Sequence, residues 1–134
     1  MRALLITMVT TLWAATAMAR GHVVVTDTKV EILDDVHWIG TTTTPMVSAQ
    51  RTFDAVASTL QGNPSIHLEV VGFGSDLVRG NALMQAGLGK QRADVIVKEL
   101  VRRGVDPTRL TASGEAKPHN GRLDPVPIFV IVTR

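Results

Sequence analysis

Gln85-Ala86-Gly87-Leu88-Gly89-Lys90-Gln91-Arg92-Ala93-Asp94-Val95-Ile96-Val97-Lys98-Glu99-Leu100-Val101 is the stretch on which the reading of the fold turns. Leu88, Ala93, Ile96, Val97, Leu100 and Val101 recur at spacings of three and four, which marks one buried side of a long helix beginning after about Leu83. Gly104 closes it. Gly87 and Gly89 fall in what this reading makes the first turn, and each would weaken a helix there by about 1 kcal/mol against alanine. Arg92 lies between Leu88 and Ile96, close to the buried side, where a charged head needs a partner or a ligand. The other reading of Arg92 is a packed stem with its head in solvent.

Downstream, Asp106-Pro107 opens one further turn and Leu110-Thr111-Ala112 reads as a strand. Pro118 to Pro127 is an irregular loop, and Ile128 to Val132 is a continuous apolar run, read as a buried strand. Upstream, Ile66, Leu68, Val70 and Val71 mark a strand that Gly72-Phe73-Gly74-Ser75-Asp76 breaks. Before it, Ala49, Phe53, Val56, Ala57 and Leu60 form one apolar face of a helix from about Met46 to Gln61, ended by Gly62-Asn63-Pro64. The threonines at 41–44 can cap its start, and Pro45 fits its first turn. Val23 to Val25 reads as an edge strand, and Lys29 to Leu33 with Val36 to Ile39 as a first core strand. Helices alternate with strands, so the fold class is α+β, βαβαββ in chain order after the edge strand. It is a sandwich of one mixed sheet with both helices packed on one face.

The chain has 134 residues, room for one domain with a modest core. Hydrophobic residues make up 45%, which argues for a globular fold over disorder. The net charge of +2, spread along the chain, does not suggest a nucleic-acid partner. Cysteine is absent, which excludes disulfides, thiolate metal sites, a cysteine nucleophile and a lipid anchor on cysteine. His22, His37, His67 and His119 share no metal-ligand spacing, and no cofactor is implied. Neither a nucleophile elbow nor a zinc-protease helix is present, so nothing points to an enzyme.

Residues 1–19 stand apart. Met1-Arg2 is a positive start, Ala3 to Ala15 is apolar, and Ala17-Met18-Ala19 is a small-x-small cleavage pattern. This is the plan of a secretory signal peptide, leaving a mature domain of residues 20–134; the alternative is an N-terminal anchor retained in the membrane. The expectation is an exported protein of the periplasm, associated with the outer membrane in one version of the reading. Removal of Arg2 leaves 13 basic side chains against 12 acidic ones.

Leu88, Arg92, Ala93, Ile96 and Leu100 resemble the Asn-x-x-Leu-Ser-x-x-Arg-Ala-x-x-Val-x-x-x-Leu helix of OmpA-like domains. Gly104 to Leu110, Gly114-Glu115, Val24 to Leu33, Asp54 to Ala57 and Asn63-Pro64 are similar to other parts of that family, so the resemblance covers about residues 23–134. It implies a non-catalytic module of the cell envelope that binds peptidoglycan non-covalently through the diaminopimelate of the stem peptide. A carboxylate meets the ligand's ammonium, and an arginine fork grips its carboxylate. Carried over residue by residue, the arginine is Arg92 and the leucine is Leu88. Gln85 replaces the motif's Asn, and Gly89 its Ser. Ser75 stands where the family's acid would be, and Asp76, one residue on, is the candidate acid. Its other reading is a turn-capping aspartate. Asp124-Pro125-Val126-Pro127 replaces the family's Asn-Arg-Arg, and Trp38 keeps an aromatic position, as core. These departures motivate an alternative: a degenerate OmpA-like scaffold that has lost peptidoglycan and contacts another protein of the outer membrane or periplasm.

Overall fold

The computed structural model describes residues 23–32, 36–75, 80–116 and 126–133. The first twenty-two residues, Leu33, Asp34, Asp35, Asp76, His119, Asp124 and Pro125 lie outside them, and with them the leader and the candidate acid.

Among the described residues, five strands form one mixed sheet: β1 (Val23–Val25), β2 (Lys29–Ile32), β3 (His67–Phe73), β4 (Leu110–Glu115) and β5 (Ile128–Thr133). The order across the sheet is β1-β2-β5-β3-β4. Only β3 and β4 pair in parallel; β1–β2, β2–β5 and β3–β5 are antiparallel. A parallel pair needs a crossover, and α2 (Ala82–Arg102) supplies it. The other α-helix among the described residues is α1 (Ala49–Gly62). A 3-10 turn at Pro107–Arg109 leads into β4, capped by Asp106, whose side chain accepts from the Thr108 amide.

Val30, Phe129, Val70 and Ala112 are cross-strand partners in one row, and Leu68 meets Leu110 and Ile131 in another. Alternation places these residues on one face. The core joins them to Phe53, Val56 and Leu60 of α1 and to Ala93, Ile96 and Leu100 of α2. Both helices therefore cover the same face, as the α+β reading requires. Each fully buried Leu, Val or Phe contributes roughly 1.5–3 kcal/mol. The other face carries the row Lys29, Val130, Glu69 and Thr111, and the Ser113 hydroxyl donates to Glu69 there at 2.8 Å.

Several local expectations are corrected. α1 begins at Ala49, three residues later than expected, because Met46 to Ser48 form a turn; Ser48, with no side-chain cap bond, precedes the helix. Thr42 closes its own loop instead, donating to Ile39 O and accepting from the Thr44 amide. Pro45 is paired with Trp38 across that loop and is not in the helix. β3 continues through Gly72 and Phe73, because Gly72 pairs with Gly114 of β4. β5 is buried on one face only: Phe129 is 1% exposed and Val132 is 57% exposed.

Gly89 is not in the first turn of α2, which begins at Ala82. It lies where α2 crosses the sheet. A Cβ on Gly89 would stand 2.5 Å from Gly72 O, and a Cβ on Gly114 would stand 2.2 Å from Ala86 O. The helix approaches β3 and β4 so closely that only hydrogen fits at the crossing. Gly87 has open space instead.

Candidate functional site

Val30 pairs antiparallel with Phe129, Val71 antiparallel with Ile128, and Phe73 parallel with Glu115. The chain therefore leaves β2, β3 and β4 at the same end of the sheet. α2 fastens the exits after β2 and β3.

The first is the loop 38–45. Its ends are tied by the Trp38–Pro45 bridge and by the Ile39 amide, which donates to Thr44 O at 2.9 Å. Gly40 adopts a φ of 56°, which glycine takes without strain. The loop thereby turns two carbonyls toward α2. Arg92 Nε donates to Thr42 O at 3.1 Å and Nη2 donates to Gly40 O at 3.3 Å. The guanidinium also lies over the Trp38 ring, 5.1 Å from its centroid, and Trp38 is itself buried. Arg92 is 1% exposed, so its head is not in solvent. A planar cation is matched here to carbonyl dipoles and to an aromatic face, which offset its desolvation.

The second exit follows β3. Gln85 Nε2 donates to Ser75 O at 2.8 Å, and Ser75 is fully buried. Gly74 passes against this side chain, where a Cβ would stand 2.0 Å from Gln85 Oε1. Asn81 caps α2 by accepting from the Met84 amide at 3.0 Å.

Gln85 and Arg92 stand seven residues apart, two turns of helix, so one side of α2 reaches both loops. Gly89 lies between them at the crossing point. Leu88, on the neighbouring stripe, is half-buried. Of the five residues expected at the site, four are therefore described: Arg92 grips the first loop, Gln85 donates to Ser75 O in the second, and Leu88 is half-buried on α2. Asp76 lies outside the described residues. The Arg92 and Gln85 contacts to backbone carbonyls were not foreseen, because a carbonyl has no side-chain signature in a sequence. The Arg92–Trp38 stack had one signal, an aromatic retained ahead of a glycine and a polar run.

Among the described residues no group of His, Asp and Glu could hold a metal ion, and no helix is long and apolar enough to cross a membrane.

The model of the OmpA family matches residues 42–126, running from Thr42 through Arg92 and covering more than half of the chain. The chain belongs to the OmpA family. Solved OmpA-like structures agree with the fold. The periplasmic domain of Helicobacter pylori MotB is 21% identical with a TM-score of 0.61, over 81% of this chain and 76% of that one. The OmpA-like domain of Francisella tularensis FopA1 is 13% identical with a TM-score of 0.65, over 89% and 84%. The peptidoglycan-associated lipoprotein of Burkholderia pseudomallei is 19% identical with a TM-score of 0.59, over 75% and 89%. At these identities the likeness shows the OmpA-like fold. No curated protein matches.

Proposed function

We propose that this OmpA-family chain is a non-catalytic module of the cell envelope that attaches non-covalently to peptidoglycan. Residues 1–19 would direct export and be removed, leaving a domain of residues 20–134 in the periplasm, held at the outer membrane through its partners. Membership of the family supports this, as do neighbours described as periplasmic or peptidoglycan-associated. The observation that carries it is Arg92: the arginine expected from the family motif lies at the end of the sheet where the loops after β2 and β3 emerge. In this reading Arg92 grips a stem-peptide carboxylate and Asp76 meets the ammonium, with Ser75, Gln85 and Leu88 shaping the site.

One observation favours the scaffold alternative. The Arg92 guanidinium already serves two backbone carbonyls and a ring, a structural task that needs no ligand.

Retention of the purified protein on murein sacculi separates the two. The binding module is retained, and Arg92→Ala and Asp76→Asn each reduce retention at least about tenfold, the scale of one lost charge-assisted contact. Asp76→Asn guards against a folding defect in the arginine variant. No retention of the wild type, together with co-purification of a defined envelope protein, establishes the scaffold.

A further inference from the structure

We propose that a cavity at the opposite end of the sheet from the loops around Arg92 binds a phosphate group through Arg109, Thr111 and His67, independently of the peptidoglycan reading. The cavity has a volume of about 210 Å³ and is lined by His67, Leu68, Thr108, Arg109, Thr111 and Val132. His67 is the first residue of β3 and Thr111 the second of β4, so it lies where these strands begin. Thr111 belongs to the face of the sheet that the helices leave uncovered. The strand register makes the room. Thr133 pairs with His67 but Ile131 pairs with Leu68, so Val132 is an extra residue on β5, and such a bulge bends its strand and interrupts the ladder.

Arg109 is held firmly. Its Nε donates to Ile66 O at 3.0 Å, and Nη2 donates to Leu60 O at 2.9 Å and to Asn63 O at 2.8 Å. These carbonyls close the end of α1. All three are neutral, and among the described residues Arg109 has no ion pair, whereas Arg102 and Arg103 each have one. The Nη1 group therefore keeps its N–H bonds without a protein acceptor, on a guanidinium fixed by its other nitrogens. The Thr111 hydroxyl and the His67 ring likewise donate to no protein group among the described residues, and His67 carries at least one N–H in any tautomer.

Three donors around one cavity match an anion rich in acceptors. A phosphate group has three strong acceptor oxygens where a carboxylate has two, and Arg109 supplies the charge for it. Two carboxylates stand nearby, and neither lines the cavity. Glu69, the cross-strand partner of Thr111, accepts from Ser113 Oγ, two residues farther along β4. Asp106 accepts from the Thr108 amide and hydroxyl, which hold its carboxyl below the usual carboxylate range, with the charges of Arg109 and His67 adding to the effect. Asp106 thus opposes an anion in the cavity by its charge, without closing the site.

The test is titration of the full-length protein with inorganic phosphate at constant ionic strength, followed by the amide resonances of His67, Leu68 and residues 108–111. Saturable shifts are expected there, with a Kd of about 1 mM or tighter, the scale of two or three charge-assisted bonds. Acetate is expected to bind at least about fivefold more weakly, having one acceptor fewer. Thr111→Val keeps a β-branched strand residue and removes the hydroxyl, and should weaken phosphate roughly fivefold or more. Asp106→Asn keeps an acceptor for Thr108 and removes the opposing charge, and should tighten phosphate about threefold. Both substitutions leave the Arg109 clamp intact. A phospholipid headgroup is the source of the phosphate if phosphatidylglycerol vesicles sediment the wild type and not Thr111→Val; a soluble ester is the source if glycerol 3-phosphate binds and the vesicles sediment neither protein. Shifts that fail to saturate, acetate binding as tightly as phosphate, or a Kd that neither substitution changes overturns the site.

Discussion

The Arg92 guanidinium lies 5.1 Å from the centroid of the Trp38 ring and joins two elements fifty-four positions apart in the chain. The ring faces the cation from one side while Gly40 O and Thr42 O accept from its edge. Arg92→Ala leaves these acceptors unserved in a buried site and is predicted to destabilise the fold by about 3 kcal/mol. Arg92→Lys keeps the charge but loses the fork, and should forfeit about half as much. Urea unfolding followed by circular dichroism measures both. A loss under about 1 kcal/mol for the alanine variant contradicts a structural role.

Two glycines of α2 should respond in opposite directions to the same substitution. Gly89→Ala puts a methyl 2.5 Å from Gly72 O and is predicted to cost about 2–3 kcal/mol, the overpacking penalty, despite alanine's better helix propensity. Gly87→Ala meets nothing within 4 Å and should stabilise by about 0.5–1 kcal/mol. Thermal melts of the two variants suffice, and a stabilised Gly89→Ala would contradict the close crossing.

The two helices are also fastened to one another. Arg103 donates to Asp54 Oδ1, Glu99 Oε2 and Gln50 Oε1, each at 2.6 Å, beside the Phe53 ring. The hydrogen bond from Arg103 holds the Glu99 carboxyl below the usual carboxylate range, against the opposing effect of burial and with help from Arg102. A carboxylate with a depressed folded-state pKa contributes its full stability above its unfolded value, about 4.3, and loses it as pH falls through the lower folded value. Wild type should therefore lose up to about 1 kcal/mol relative to Glu99→Gln between about pH 5 and pH 3. Parallel pH–stability curves for the two proteins would show that the network contributes nothing.

Asn81 tests the start of α2, which has no acidic residue in its first turn. Asn81→Ala removes the acceptor of the Met84 amide and is predicted to cost about 1 kcal/mol. Asn81→Asp keeps the acceptor, adds a favourable charge at the helix start, and should be neutral or stabilising by a few tenths of a kcal/mol. The pair is compared by denaturant midpoint, and equal midpoints for the alanine and aspartate variants would contradict the cap.

The fold was legible where the chain repeats with a period. Ala49, Phe53, Val56, Ala57 and Leu60 are all buried, as their spacing requires, and so are Ala93, Ile96 and Leu100. It was less legible where backbone decides. Gly89 reads as a helix weakener in one dimension, and only the crossing with Gly72 shows why a side chain is excluded. The threonines at 41–44 look like a helix cap by residue type, but Thr42 satisfies its neighbours within the loop and its carbonyl serves Arg92. For the candidate site, the family motif pointed to Arg92, with Gln85 standing in place of the motif's Asn, while the acceptors of both are main-chain oxygens of Gly40, Thr42 and Ser75. Residue identity cannot specify such partners, because every residue carries the same carbonyl.

The strand order has a bearing on how the molecule is made. β5, latest in the chain, occupies the middle of the sheet between β2 and β3. A chain emerging with its N-terminus first holds β1–β2 and β3–α2–β4 as two halves, each with an open edge, and no strand pairing joins them until Phe129 arrives between Val30 and Val70. Completion of the sheet thus waits for the final segment, and a nascent chain halted before Ile128 is predicted to remain unfolded by protease sensitivity, however much of its helical sequence is already present.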